Sequence, residues 1–158
     1  MPRDDGDALA PVQKAVRVKG SVEAAFRLFT DGIAKWWPLA THSVCQNDAV
    51  ACAVEGRVGG RVFERDRAGR EHLWGTIMAW EPPSRIAFPW HPGRAADTAQ
   101  EIELRFSDAG AGMTLVELTH SGWAKLGEKA ATARENYNNG WETVFVGCYG
   151  KAAESLHR

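Results

Sequence analysis

The chain holds 158 residues, 44% hydrophobic and 25% charged, with 19 basic against 20 acidic side chains and a net charge of −1. Such a length suits one globular domain whose core leaves room for a modest cavity. The charges are interspersed without a basic stripe, so nucleic acid is not an expected partner, and no apolar run approaches the ~18 residues that membrane insertion requires.

Met1-Pro2-Arg3-Asp4-Asp5-Gly6-Asp7 opens the chain without the apolar stretch of a signal peptide. Residues 1–10 are expected as a disordered tail, ahead of a single domain over 11–158. Cys45, Cys52 and Cys148 are an odd number of cysteines with no CxxC spacing. They point to free thiols and a cytoplasmic location, each thiol acting as a small buried apolar group.

Residues 12–18 alternate apolar and polar, as a strand does. Gly20-Ser21 punctuates, and Ser21 is placed to cap a helix over 22–29 with Val22, Ala25, Phe26 and Phe29 on one face. A second short helix over 33–37 stops against Pro38. Strands follow at 50–55, 61–66 and 71–80, with Val58-Gly59-Gly60 and Ala68-Gly69-Arg70 as turns. The diproline turn at Pro82-Pro83 leads to a strand over 85–90. Residues 100–106 alternate almost without a break, which predicts an antiparallel strand with one wet face, and 113–120 pairs back after a glycine-rich turn.

From 128 to 156 there is no proline. Trp141, Val144, Phe145, Cys148, Ala152 and Leu156 recur at helical spacing, which predicts a long C-terminal helix. Asn138-Asn139-Gly140 marks a place for it to kink or restart, and Gly147 would let it approach the sheet closely. The predicted fold is α+β: a curved antiparallel sheet of about 6–7 strands, two short N-terminal helices, and a long helix laid over the concave face above a cavity.

Seven tryptophans fall at 36, 37, 74, 80, 90, 123 and 141, spread over helix, sheet and helix. Small-molecule pockets are lined in this way. Trp37, Trp74, Trp90, Trp141 and Phe145 are the lining candidates, and Tyr149 extends the line with a hydroxyl. Trp80 reads as a packing or surface residue.

Glu64 shares its strand face with Val62, while Arg61, Phe63 and Arg65 share the other. If the Val62 face looks inward, Glu64 is a carboxylate in an apolar cavity with a proton to donate or take. If the Phe63 face looks inward, Glu64 is solvated, and the pattern favours this second case. His120 shares parity with Val116 and Leu118, so it can point inward as an acid–base group; the plainer expectation is a histidine bonded to its own turn. His42, His72, His91 and His157 have no HxxxH or HExxH relation, so no metal is expected. The GxSxG elbow and glycine-rich phosphate cradles are missing, and no cofactor is expected.

One set of segments, taken in order, resembles the START-like (SRPBCC) superfamily with its helix-grip (Bet v-like) fold. The set runs from 18–26 and Trp36-Trp37 through 55–62, Gly75-Thr76-Ile77 and 80–86 to Leu118-Thr119-His120-Ser121-Gly122-Trp123 and Gly140-Trp141. The chain is most similar to the group related to the C-terminal domain of the heat-shock-protein-90 ATPase activator. The likeness covers residues 12–157. The activator itself carries a further N-terminal domain for which this chain has no room. Pro89 stands where such proteins carry a hydrogen-bonding strand residue, which implies an edge or a bulge.

This resemblance implies a scaffold shared by carriers, receptors, cyclases and hydratases, so function rests on the site. The leading expectation is a protein that binds a small apolar or aromatic molecule in an internal cavity, without turnover, with Glu64, His120 or Tyr149 orienting any polar handle. The alternatives are a cyclase- or hydratase-type enzyme using Glu64 and His120 as acid and base, and a cofactor that stimulates a chaperone ATPase. A homodimer is left open.

Overall fold

Alternation in 12–19 produces a strand, β1 (Val12–Lys19), which ends where Gly20 turns the chain at φ +121°. The computed structural model describes residues 9–156, so most of the expected 1–10 tail, and His157, lie outside the described residues. The Ser21 hydroxyl accepts from the Ala24 N–H at 3.0 Å and starts α1 (Val22–Phe29), which buries Ala25, Phe26 and Phe29. α2 (Ile33–Trp36) follows and turns extended at Trp37, ahead of Pro38.

Strands β2 (Ala49–Val54), β3 (Arg61–Asp66) and β4 (Glu71–Thr76) form one three-stranded antiparallel sheet. β5 (Ala79–Glu81), β6 (Arg85–Trp90), β7 (Gln100–Gly110) and β8 (Met113–Ser121) join β1 in a five-stranded sheet ordered β1-β8-β7-β6-β5. The segment 71–80, expected as one strand, changes sheets in its middle. Ile77 donates to the Gly60 carbonyl at 2.8 Å on the β3 side, and Met78 donates to the Ala87 carbonyl at 2.9 Å on the β6 side. Pro89 lies past the end of β5, where β6 turns its free side to β4. A Cβ on Gly75 would sit 1.9 Å from the Pro89 carbonyl oxygen, so only glycine allows this crossing.

After a 3₁₀ stretch at Trp123–Lys129, three helical segments run head to tail as one rod over 130–153. They are α3 (Ala130–Trp141), α4 (Glu142–Tyr149), which is π-helical, and α5 (Gly150–Ala153). The expected irregularity near Gly140 is the switch from α to π winding. Gly147 is exposed and does not face the sheet, contrary to its expected role. Tyr149 ties the rod to α1 by donating its hydroxyl to the Ala25 carbonyl at 2.8 Å.

Inward residues of β7 (Ile102, Leu104, Phe106) and β8 (Val116, Leu118) meet α1 and the rod in one apolar cluster, which takes in Val62 and Trp74 of the smaller sheet. Phe26 and Phe106 pack at 5.2 Å between ring centres, and Phe29 and Tyr149 at 5.5 Å. Among the described residues, no helix is long and apolar enough to cross a membrane.

Candidate functional site

Four indoles from four different segments converge at one end of the rod. Trp37 follows α2, Trp74 is on β4, Trp90 ends β6 and Trp141 ends α3. Trp37 lies 4.9 Å from Trp74 and 5.9 Å from Trp141, and Trp90 lies 5.6 Å from each of those two rings. They line a pocket of about 400 Å³ that opens to solvent.

The sequence does not show why Trp74 reaches this space. Val62 pairs with Gly75 and Phe63 with Leu73, so Trp74 is an extra residue in β4, a bulge of the kind that re-aims side chains.

Three of the four indole N–H groups are anchored back into the protein. Trp37 donates to the His42 carbonyl at 2.7 Å, Trp74 to Glu64 Oε1 at 2.6 Å, and Trp141 to His120 Nδ1 at 2.9 Å. The fourth, on Trp90, has no partner among the described residues.

Glu64 is fully buried, which corrects the expectation of a solvated carboxylate. Phe63 on the opposite face is also buried, because the Arg61 guanidinium lies 4.3 Å above its ring and shields it from outside. Glu64 does not line the pocket. Its oxygens accept the N–H groups of Val44 at 2.7 Å and Cys45 at 2.9 Å as well as that of Trp74. All three partners are donors, which suits an acceptor-only ionised carboxylate. Glu64 thus fastens the loop after Trp37 against β4. Burial, then the Glu64 charge, pushes the neighbouring Cys52 thiol up to about 12, so it is an inert apolar group.

His120 is also fully buried, and it bonds neither its own turn nor the pocket space. Trp141 can only donate, so His120 Nδ1 accepts and the proton sits on Nε2, facing Gln100 Oε1 at 3.3 Å. Arg94 reaches the same Gln100 oxygen at 3.3 Å. Burial, then the Arg94 charge, holds the imidazole down at about 3, so it stays neutral at physiological pH. Glu64 and His120 therefore belong to separate networks, each standing behind an indole. Phe145 and Tyr149 also lie off the pocket wall: they stack at 5.6 Å within the core, and burial raises the Tyr149 phenol above its ordinary range.

The rest of the wall was not foreseen. Thr41, His42, Ser43 and Val44 form one side, Pro92 and Gly93 another, and Tyr137, Gly140 and Val144 flank Trp141 on the rod. A Cβ on Gly140 would meet nothing within 4 Å, so its missing side chain keeps the pocket open. Residues 137, 140, 141 and 144 follow the i, i+3, i+4, i+7 stripe, a signal present in the sequence. His42 is half-buried, and its Nδ1 lies 2.7 Å from the Thr41 hydroxyl oxygen. It is the one imidazole among the residues of this wall.

One cluster of metal-type donors occurs among the described residues: Cys45, Asp66 and His72 bring ligand atoms within 4.8 Å of one another. Asp66 is already occupied there. It accepts from the Ala68 and Arg70 N–H groups at 2.9 and 3.0 Å and faces His72 Nε2 at 3.0 Å, closing the β3–β4 hairpin.

The family model described as "Activator of Hsp90 ATPase homolog 1-like protein" matches residues 19–146. No curated protein matches the chain. Among solved structures, an anthrahydroquino-gamma-pyrone synthase, Txn09, is 33% identical with a TM-score of 0.63, covering 90% of this chain and 96% of that one. CalC from Micromonospora echinospora, a self-sacrificing resistance protein, is 24% identical with a TM-score of 0.65, covering 91% and 94%. An HSP90 activator from Plasmodium falciparum is 19% identical with a TM-score of 0.59, covering 87% and 91%. The latter two likenesses show the fold. With the α+β architecture and the C-terminal rod described above, the match over 19–146 settles the family: the chain belongs to the activator of Hsp90 ATPase homolog 1-like proteins of the START-like superfamily.

Proposed function

We propose that this chain binds a flat, largely apolar aromatic molecule in the four-indole pocket. The observation that carries this reading is the wall itself: Trp37, Trp74, Trp90 and Trp141 bound a space of about 400 Å³. Burying ring surface there contributes roughly 25 cal/mol per Å², and well-placed ring pairs add about 0.5–1.5 kcal/mol each. The back-anchored N–H groups of three rings present preorganised apolar surface, which lowers the cost of ordering on binding. The likeness to Txn09, whose name carries a fused aromatic system, supports the same ligand class.

Thermal unfolding with panels of flat polycyclic aromatics, straight-chain fatty acids and sugars tests this. Flat aromatics are expected to raise the midpoint, and fatty acids and sugars to leave it in place. A panel in which no aromatic moves the midpoint contradicts the proposal.

A second reading, a ring-closing enzyme of the cyclase type, draws on His42. This histidine stands on the wall beside the Thr41 hydroxyl and can take and return a proton at a bound substrate. The acid–base role first considered for Glu64 and His120 passes to His42, because those two side chains are fully engaged behind the wall.

A further inference from the structure

The pocket wall changes character from floor to rim. The four indoles are buried, none more than 8% exposed, and Val144 is buried beside them. At the rim Thr41, Val44 and Gly93 are exposed, and His42, Ser43 and Tyr137 are half-buried. Apart from the indole N–H groups, every polar side chain of the wall therefore stands at the mouth. The floor has no polar contact to give: three of its N–H groups are taken by the His42 carbonyl, Glu64 and His120, and the Trp90 Nε1 is itself covered. No lysine, arginine, aspartate or glutamate lines the pocket. The rim is also held in place. Glu64 fastens Val44 and Cys45 on one side, and Arg94 grips the Thr98 carbonyl at 3.0 Å on the other. These two loops meet, since a Cβ on Gly93 would lie 3.8 Å from a Val44 methyl group.

We infer that the ligand of this pocket is one-ended: a bare ring edge enters first and meets the indoles, while the polar or charged substituents are gathered at the opposite end and stay at the mouth. The inference rests on the aromatic-binding reading above and narrows it to flat aromatics with one unsubstituted end. A hydroxyl or ionic group on the leading edge would give up its water and find no partner at the floor, a penalty steepest for a charge. The same group at the mouth keeps its water and has the polar side chains of Thr41, His42 and Tyr137 beside it. The distribution of polar groups along the wall thus sets the direction in which the ligand lies.

The test uses naphthalene-1,3-disulfonate and naphthalene-2,6-disulfonate, isomers of equal charge and size. The first leaves one ring bare, and the second carries a sulfonate on each ring. Naphthalene-2-sulfonate, bare at one end, reports aromatic binding itself. Calorimetric titration of the wild-type protein is expected to show the 2-sulfonate and the 1,3-isomer binding, and the 2,6-isomer binding at least about thirtyfold more weakly than the 1,3-isomer. A smaller ratio between the isomers, or binding of the monosulfonate alone, overturns the inference and leaves aromatic binding standing. Binding of none of the three removes both. A crystal structure of the 1,3-disulfonate complex reads the direction itself. The bare ring against Trp37 and Trp141, with both sulfonates beside Thr41 and His42, is the expected pose, and the reverse pose overturns the inference.

Discussion

Trp141 gives its indole N–H to His120 Nδ1 at 2.9 Å, so a neutral histidine fixes the ring that closes the rod side of the pocket. Protonating His120 would set donor against donor. Burial holds the group at about 3 against an ordinary 6.5, so between these values the unfolded chain takes a proton that the folded chain refuses. The stability from this site is therefore complete above pH 6.5 and is lost as pH falls toward 3, by up to about 1.4 kcal/mol per unit. Urea unfolding at pH 7 and pH 5 is expected to show the wild type losing about 2 kcal/mol more than His120→Asn over that interval. Equal losses would contradict the assigned tautomer and environment.

Glu64 acts at a different wall. Glu64→Gln leaves one acceptor oxygen for three donors and turns an amide NH₂ toward N–H groups. The variant is expected to lose about 2–4 kcal/mol of unfolding free energy, with faster proteolysis in 41–46 where the Val44 and Cys45 anchors are lost. A Glu64→Gln protein of wild-type stability would show that the carboxylate does not hold the loop.

Gly140 separates the fold from the pocket. Gly140→Ala is expected to stabilise the rod by about 0.5–1 kcal/mol, since alanine suits a helix interior better and its methyl group meets nothing. Gly140→Phe is expected to unfold near the wild-type midpoint while weakening aromatic binding at least about tenfold, because the ring occupies the pocket. Undiminished binding by Gly140→Phe in calorimetry would place the ligand elsewhere.

His42 divides binding from turnover. Where a ring-closing activity is found, His42→Gln is expected to lower kcat by roughly 10²–10⁴ while leaving ligand affinity within a few fold. Full activity in His42→Gln would remove the histidine from the chemistry.

Much of the frame was legible in the chain. The alternation of 100–106 specified β7 with its buried Ile102, Leu104 and Phe106, and the apolar stripe from Trp141 onward specified the rod. Periodicity is a local signal, and these elements obey it. What escaped depends on distant partners. The face of Glu64 was ambiguous because Phe63 is buried from outside by Arg61, so both faces of β3 look apolar to a pattern argument. The strand expected over 71–80 splits because the Gly75–Pro89 approach carries the chain from one sheet to the other. Trp74 owes its place to a bulge, and the 41–44 wall to anchors on Trp37 and Glu64 that neither segment reveals alone. The four indoles named from the sequence as lining candidates, Trp37, Trp74, Trp90 and Trp141, share the pocket wall, whereas Phe145 and Tyr149 stand off it.

That last point offers the most direct test. Indole ¹⁵N–¹H resonances of the wild-type protein report each of the seven tryptophans separately during titration with anthracene-2-sulfonate. Binding in the pocket predicts large saturable shifts for Trp37, Trp74, Trp90 and Trp141, with Trp80 and Trp123 nearly still. Shifts confined to Trp80 or Trp123, or none at all, would contradict it.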